Sequence, residues 1–282
     1  MKFGFVGAGK VGQAFGRYLT QKGHQVVGYY SKTYAHAEDA AIAVQGKAYD
    51  TLEALSKDAE IIALTVTDQM IEAVSRELCS LNTTGKVRFV IHMSGALSAR
   101  VLARRDDVHY ASIHPMQSFA NVEEALLQMP STVFGIEGDA KTISVFETLL
   151  KTMGNEVIQL TEAQKVNYHL AAVIVSNYMV TLMHFGLSQM KAIGIEENTG
   201  IKALLPLIRG TLTNIETFGP EKALTGPIAR GDYKTVKAHL QAMDHGAKAL
   251  YRHLGLATLE IALAKEMDTE NVLALRRLLE EE

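Results

Sequence analysis

The amino-terminal half of the chain alternates short apolar runs with longer segments of helical periodicity. Several of these runs are apolar throughout, as in parallel strands that are covered on both faces. The predicted strands are residues 3–6, 25–30, 60–66, 88–92, 109–113, 133–137 and 156–160, and the predicted helices are residues 11–22, 35–44, 52–57, 69–81 and 141–153. This alternation predicts an α/β domain with a doubly wound parallel sheet.

The pattern changes after Leu160. Thr161 and Gln164 match a capping box, which opens a helix by satisfying its first free N–H groups. From there to the end, the periodicity is helical, with turn signals near residues 194, 219, 226 and 231. The sequence therefore predicts two domains, an α/β domain over residues 1–160 and an all-helical domain over 161–282. A length of 282 residues agrees with two domains.

Composition excludes several classes of protein. The net charge of -3 leaves no basic excess to neutralise a phosphate backbone, so we expect no nucleic-acid partner. Cys79 is the only cysteine, which excludes an intrachain disulfide and a thiolate metal cluster. The apolar segment 170–190 is interrupted by polar residues, whereas a membrane span needs about 20 mostly apolar residues. We expect it to be a core helix in a cytoplasmic protein without a signal peptide or membrane anchor.

The first predicted strand is followed by a glycine-rich turn, Gly7-Ala8-Gly9-Lys10-Val11-Gly12, that matches G-x-G-x-x-G. This turn opens a predicted helix within a βαβ unit, which is the context of a dinucleotide-binding site. Gly7 allows the tight turn, Gly9 lets the backbone approach a pyrophosphate, and Gly12 permits close packing of helix on strand. The helix N-terminus supplies N–H groups for the phosphates. All six residues are predicted to bind the cofactor.

The residues after the second predicted strand indicate which nucleotide binds. Sites that prefer NAD usually place Asp or Glu on the ribose 2′-hydroxyl there, but this chain has Ser31 and Lys32. A serine donor and a lysine charge suit a 2′-phosphate, so the sequence predicts NADP. The alternative is that the two residues only begin a solvated loop.

Three predicted strands end in polar residues. In open α/β sheets, ligands bind beyond the carboxyl ends of the strands, so these residues should face the nicotinamide end of the cofactor cleft. His114 can exchange a proton with a carbonyl or amine, although it could also be a histidine that is hydrogen-bonded within the domain interface. The candidate residues at these ends are Thr65, Val66 and Thr67 for the cofactor, Ser94 and Gln117 for the substrate, and His114 as a catalytic candidate.

A polar stripe follows on the helix after Thr161, where Lys165, His169, Ala172 and Ser176 share one face. Such a stripe is costly to bury unless it lines a ligand cavity, so it predicts catalytic roles for Lys165 and His169 and a substrate contact for Ser176. Lys165 could instead extend to solvent near the helix start.

The segment 224–232 adds a further candidate. Arg230 could clamp a substrate carboxylate through its planar guanidinium. Alternatively, Arg230 and Asp232 could pair, or form a helix cap, and only fix the loop.

The chain resembles a bacterial family of Rossmann-like oxidoreductases with a C-terminal domain of unknown function, and the resemblance covers nearly the whole chain. It rests on the motifs above and on residues 113–119, 168–173 and 176–178. That family is similar to pyrroline-carboxylate reductases, ketopantoate reductases and β-hydroxyacid dehydrogenases. The resemblance implies an NADP-binding Rossmann domain and a helical domain like the C-terminal domain of 6-phosphogluconate dehydrogenase. It also implies dimerisation through the helical domain. Lys165 matches the lysine of hydroxyacid dehydrogenases, but His169 replaces their asparagine, while His114-Pro115-Met116 resembles prephenate dehydrogenases.

The sequence thus predicts an NADP-dependent oxidoreductase that acts on a small carbonyl, hydroxy or imino compound bearing a carboxylate. His114, Lys165 or His169 would handle the proton. The alternative is a non-catalytic NADP(H)-binding sensor, which would need no polar stripe. A metal site formed by His92, His114 and His169 is the weakest interpretation, because these residues lack local ligand spacing, and we expect no metal.

Overall fold

The computed structural model describes residues 1–81, 86–263 and 269–281. Eight strands form one sheet in the order β3-β2-β1-β4-β5-β6-β7-β8. The strands are β1 (Lys2–Val6), β2 (Gln25–Tyr30), β3 (Lys47–Tyr49), β4 (Ile61–Leu64), β5 (Phe89–His92), β6 (His109–Pro115), β7 (Phe134–Gly138) and β8 (Val157–Gln159). The strand order reverses at β1, which lies between β2 and β4, so the predicted doubly wound α/β domain is confirmed.

Eleven α-helices connect or follow the strands in the described part of the chain. They are α1 (Lys10–Gln21), α2 (Tyr34–Ile42), α3 (Leu52–Asp58), α4 (Asp68–Ser80), α5 (Val122–Gln128), α6 (Ala140–Thr152), α7 (Lys165–Ala192), α8 (Glu197–Ala223), α9 (Tyr233–Ala242), α10 (His245–Leu263) and α11 (Thr269–Glu280). The described residues after β8 contain no strand, as predicted; residues 264–268 of the predicted helical domain lie outside the described residues.

The sheet carries apolar side chains on both faces, because helices cover it on both sides. Phe3 and Phe5 of β1 pack on one face with Phe15 of α1, whereas Val6 packs on the other face with Leu52 and other aliphatic side chains. The two faces explain why the central strands are apolar throughout rather than alternating.

The prediction of a parallel sheet is wrong for one pair of strands, since β7 runs antiparallel to β6. A parallel connection must return to the amino end of the sheet, but the segment between these strands stays at the carboxyl end. The backbone N–H of Met116 donates to the Val133 carbonyl at 2.9 Å, which closes this connection. Arg17 of α1 and Glu123 of α5 form an ion pair that holds α5 beside α1.

The chain divides into two compact units, Met1–Asn177 and Tyr178–Glu282. The division falls within α7, whereas the sequence places a domain boundary between residues 160 and 161. A small apolar core, which includes Val236, Leu259 and Leu275, holds α9, α10 and α11 together in the second unit.

The expectation that residues 170–190 form a buried core helix is wrong for the single chain. Lys165 is the only buried residue of α7, and Val175 and Val180 are 66% and 70% exposed. The helix over Glu162–Ala192 is the one helix in the described part that is long and apolar enough to cross a membrane, by length and composition alone. The other described helices of the single chain therefore leave the apolar side chains of α7 exposed or half-buried.

Candidate functional site

The glycine-rich turn packs against the end of β4. Gly7 has φ of +101°, and a Cβ placed there would lie 2.8 Å from the backbone of Thr65. A Cβ at Gly12 would lie 2.5 Å from the Thr65 side-chain oxygen. The Thr65 hydroxyl in turn donates to the Gly7 carbonyl at 2.7 Å. These two glycines are therefore required by the packing of the chain itself, and Thr65 holds the turn in place.

Gly9 differs from its two neighbours in the motif. It is the N-cap residue of α1, and no side chain caps the helix there. Apart from its two chain neighbours, the atom of the described residues nearest to a Cβ on Gly9 would be the Thr65 carbonyl oxygen, at 3.9 Å. The first N–H groups of a helix have no partner within the helix. The turn therefore leaves an open cradle of backbone donors, and this cradle fits a phosphate group.

The other predicted cofactor residues follow β2 and β4, the two neighbours of β1 in the sheet. Ser31 is half-buried and Lys32 is exposed directly after β2. Val66 is half-buried after β4, and Thr67 is the exposed N-cap residue of α4, with no side-chain hydrogen bond to the helix. Because β1, β2 and β4 are parallel, all of these residues lie at the carboxyl edge of the sheet with the glycine-rich turn. Their contact with a nucleotide stays a prediction.

Ser94 follows β5 and connects three elements. Its hydroxyl donates to Asp68 at the start of α4 at 2.7 Å and accepts the N–H groups of Ala96 and Leu97. Its carbonyl oxygen accepts the Ser112 hydroxyl at 3.0 Å. The side chain predicted to bind substrate is therefore already engaged within the protein.

Lys165 begins α7 and is 1% exposed. Its Nζ donates to the Ser94 carbonyl oxygen at 3.0 Å and to the Ser112 hydroxyl. Burial lowers the pKa of Lys165 to about 8, while the carboxylates of Glu137 and Asp68 oppose this change. The alternative in which Lys165 extends to solvent is therefore wrong. The amine lies inside the α/β unit, behind the ends of β5 and β6.

His114 and His169 converge above Gly95. A Cβ on Gly95 would lie 2.8 Å from His114 Nε2 and 2.7 Å from His169 Nδ1. The two rings are nearly perpendicular, with centroids 6.2 Å apart. Burial, together with the charges of Lys165 and His169, lowers the pKa of His114 to about 4. At neutral pH, His114 is therefore an uncharged imidazole.

Both imidazoles line a cavity of about 260 Å³ within the first unit. Of the polar stripe on α7, His169, Ala172 and Ser176 line this cavity and Lys165 does not. Gln117 also lines it, but its amide donates to the Ala125 carbonyl at 2.8 Å and accepts the Thr132 hydroxyl. The structure thus brings two of the four predicted substrate residues, Gln117 and Ser176, to this cavity, with the Gln117 amide engaged in holding its own loop.

Four residues of this site were given no individual role from the sequence. They are Asp68, Gly95, Ser112 and Tyr168. The Tyr168 hydroxyl lies 3.2 Å from His114 Nδ1. Position supplies a signal for Gly95, which follows the polar end of β5, and for Tyr168, which precedes His169. Ser112 lies inside a predicted strand, where a small hydroxyl gives no sign of a buried amine beside it.

His92 does not line the cavity. It is fully buried at the end of β5, where its Nδ1 accepts the Ser94 N–H at 3.2 Å. Burial and the charge of Lys165 lower the pKa of His92 to about 4. Within the described residues, no group of three or more His, Cys, Asp or Glu side chains is placed to hold a metal ion.

Arg230 lies in the second unit and is exposed. Asp232 caps α9, accepting the Thr235 N–H at 3.1 Å and the Thr235 hydroxyl at 2.7 Å. The structure thus contains the helix cap of the alternative interpretation, and a clamping role for Arg230 stays a prediction.

An α/β domain with an open phosphate cradle, followed by helices, is the architecture of Rossmann-type nucleotide-binding proteins. Two family models match the chain: a Rossmann-like domain over residues 1–115 and a domain of unknown function, DUF2520, over residues 132–258. The chain is therefore a Rossmann-like domain followed by a DUF2520 domain, as the motifs implied. No curated protein matches it.

Solved structures with the same fold span nearly the whole chain. Protein TM1727 from Thermotoga maritima is 28% identical, with a TM-score of 0.76 over 94% of this chain and 100% of its own. BF3122 from Bacteroides fragilis, a proposed NADP oxidoreductase, is 22% identical, with a TM-score of 0.77 over 92% of this chain and 98% of its own. An imine reductase from Myxococcus stipitatus in complex with NADP⁺ is 16% identical, with a TM-score of 0.60 over 100% of both chains.

Proposed function

We propose that the protein is an NADP-dependent oxidoreductase that transfers a hydride between the nicotinamide and a small carbonyl, hydroxy or imino compound. The observation that carries this proposal is the convergence of His114 and His169 on one cavity beside Gly95. The end of β6, the residues that follow it and the first half of α7 form this cavity, at the same edge of the sheet as the glycine-rich turn. Ligands of open α/β sheets bind at that edge.

The residues at this edge fit a dinucleotide. The backbone cradle at Gly9 is open and would hold the pyrophosphate, and Ser31 and Lys32 would hold a ribose 2′-phosphate. The imine reductase of the same fold binds NADP⁺, and a variant of that enzyme binds NAD⁺. Our preference for NADP therefore rests on Lys32 and on the absence of a carboxylate at residues 31–33.

NADPH supplies the hydride when it is bound. The protein supplies groups that hold the reacting carbonyl or imine and the charge that develops on it. His114 and His169 line the cavity and are the residues that can contact this heteroatom. Lys165 lies behind them, where its amine adds positive charge to the site without reaching the cavity wall. Of the three predicted proton donors, His114 and His169 line the cavity and can give the proton to this heteroatom directly.

The carboxylate that the sequence predicts on the substrate is a finer part of the proposal. Neither a lysine nor an arginine lines the described cavity, so the two imidazoles are its only titratable side chains. Recognition of a carboxylate by Arg230 stays a prediction from the sequence. A panel of substrates that includes 2-oxo acids, uncharged ketones and uncharged cyclic imines separates these possibilities.

The test is deuteride transfer from 4-deuterated NADPH to this panel, followed by mass spectrometry of the products. We expect at least one product to gain one deuterium, with loss of the signal in His114→Gln. His109→Gln is the matched control, because His109 lies at the opposite end of the same strand. Binding of NADPH without deuteride transfer to any compound would favour the non-catalytic sensor instead.

We also propose that the protein forms a homodimer through its helical part, as the resemblance implies. In the second unit, the helices α7 and α8 expose several large apolar side chains, among them Val180, Leu207 and Phe218 at 70%, 67% and 58% exposure. Residues 166–190 carry no Asp, Glu, Lys or Arg. Apolar surface of this extent usually lies against a partner.

A cytoplasmic location stays a prediction.

Light scattering on Leu207→Lys tests the dimer. We expect wild type to have the mass of two chains and the variant the mass of one. Leu127→Lys is the control, since Leu127 is 82% exposed and belongs to the first unit. A wild-type protein of one-chain mass, or one that partitions into detergent or lipid, would overturn the proposal.

A further inference from the structure

His114 is held between two side chains of α7. Its Nδ1 lies 3.2 Å from the Tyr168 hydroxyl, and the two rings are perpendicular with centroids 5.6 Å apart. The other nitrogen, Nε2, lies above Gly95, beside the ring of His169. The imidazole thus turns one nitrogen towards a tyrosine and the other towards the shared space above Gly95.

Tyr168 is fixed against the sheet. A Cβ on Gly135 would lie 2.6 Å from the Tyr168 ring and hydroxyl, so the tyrosine occupies the space that a larger residue would take. Gly135 of β7 pairs in register with His114 of β6. The absence of a side chain at Gly135 therefore places the Tyr168 hydroxyl beside the ring of His114.

The protonation states on the two sides are compatible with a hydrogen bond from tyrosine to histidine. Burial raises the pKa of Tyr168 to about 12, so the phenol keeps its proton at neutral pH. His114 is uncharged there, because burial and the nearby Lys165 and His169 disfavour a second proton. An uncharged imidazole carries one N–H, and the hydrogen bond made by one nitrogen decides which nitrogen has it.

We propose that Tyr168 is a positioning residue whose hydroxyl donates a hydrogen bond to His114 Nδ1 and thereby places the imidazole N–H on Nε2. His114 then offers a hydrogen-bond donor at the cavity. A fixed neutral imidazole can polarise a carbonyl by donating such a bond. The use of this donor in a reaction rests on the proposed function, whereas the tautomer of His114 does not, since it exists without substrate.

The opposite arrangement has the His114 N–H on Nδ1, donating to the Tyr168 oxygen. The Tyr168 hydroxyl would then donate to the His114 backbone carbonyl oxygen, which lies 3.4 Å away. In that case Nε2 would present a lone pair to the cavity, and His114 would accept hydrogen bonds instead of donating them. The two tautomers therefore predict opposite chemistry at one cavity wall.

Long-range ¹H–¹⁵N correlation spectra of ¹⁵N-histidine-labelled protein at pH 7 distinguish them. The His114 signals are identified by their loss in His114→Gln. We expect the wild-type spectrum to show the proton on Nε2 and Tyr168→Phe to show a mixture of tautomers. Tyr178→Phe, on the same helix, is the matched control and should match wild type. A proton on Nδ1 in wild type, or an unchanged tautomer in Tyr168→Phe, would overturn the proposal.

Kinetics separates this inference from the proposed function. Once a substrate is found, Tyr168→Phe should lower kcat about 5- to 10-fold, the usual effect of losing one hydrogen bond, and leave the Kd for NADPH unchanged. If the tautomer is as proposed but wild type turns over no substrate, the proposed function fails and the role of Tyr168 stands. If wild type turns over a substrate but carries the His114 proton on Nδ1, the proposed function stands and the role of Tyr168 fails. The wild-type spectrum decides the tautomer even if Tyr168→Phe does not fold.

Discussion

Replacement of Gly9 with alanine separates cofactor binding from folding. Among the described residues beyond its chain neighbours, the atom nearest to an added Cβ would be the Thr65 carbonyl oxygen at 3.9 Å, and Gly9 has φ of -75° and ψ of 176°, which alanine adopts without strain. Alanine is a poorer N-cap residue than glycine, which costs about 0.5–1 kcal/mol. The reduced freedom of the unfolded chain returns about 0.4–1 kcal/mol. We therefore expect Gly9→Ala to change the free energy of unfolding by less than about 1 kcal/mol.

The same Cβ fills the phosphate cradle. If it breaks one hydrogen bond to a charged phosphate, the loss is about 1.5–3 kcal/mol, or roughly 10- to 100-fold in the Kd for NADPH. Nicotinamide fluorescence reports this Kd with little protein background, because the chain contains no tryptophan. Thermal unfolding measured by circular dichroism reports stability on the same samples.

Two other glycines serve as comparisons. Gly12→Ala places a Cβ 2.5 Å from Thr65 Oγ1, so we expect it to destabilise the fold by about 1–3 kcal/mol. Gly210 lies in α8, where an added Cβ would meet no other part of the described chain within 4 Å, so Gly210→Ala should leave NADPH binding unchanged and not lower stability. Binding of NADPH by Gly9→Ala within twofold of wild type would refute the reasoning.

Three further substitutions probe the other parts of the site. Lys32→Glu places a carboxylate beside the 2′-phosphate, so the Kd for NADPH should rise at least about 10-fold while the Kd for NADH changes little; equal effects on both would exclude Lys32 from specificity. Gly95→Ala brings a Cβ within 2.8 Å of both His114 and His169, so kcat should fall with NADPH affinity retained, and an unchanged kcat would count against the two imidazoles. Folding lowers the pKa of Lys165 from 10.5 to about 8. Between pH 8 and pH 10.5 the unfolded chain therefore binds one more proton than the folded chain, so the free energy of unfolding should rise with pH over this range, by up to about 3 kcal/mol. Lys165→Met should remove this rise in denaturant titrations at pH 7–10.5, and a rise that persists would show that another group titrates.

The sequence predicts the sheet well where strands are apolar throughout. The second strand is predicted with the same bounds that β2 has, Gln25–Tyr30. It does not predict β3, because Lys47-Ala48-Tyr49 is only three residues long and carries a lysine. It also does not predict α5, a seven-residue helix whose start depends on the side-chain cap of Asn121. Short elements like these exist because of tertiary contacts, which periodicity does not report.

The candidate site was predictable where a residue type and its place in an element agree. His114 and His169 were found because each is polar at a strand end or on an apolar helix. The burial of Lys165 was not predictable, since its acceptors, the Ser94 carbonyl after β5 and the Ser112 hydroxyl within β6, are far from it in sequence. The role of Tyr168 depends on Gly135, which gives a signal only once the pairing of β7 with β6 is known.

Hydrogen–deuterium exchange of the wild-type protein with and without NADPH tests the central claim most directly. The claim is that a nucleotide lies along the carboxyl edge of the sheet and reaches the cavity between His114 and His169. We expect NADPH to slow exchange in peptides that cover residues 7–13, 30–34, 64–68 and 93–97, with the second unit little changed. Absence of protection in these four segments at saturating NADPH, or protection confined to residues 179–215, would contradict the account.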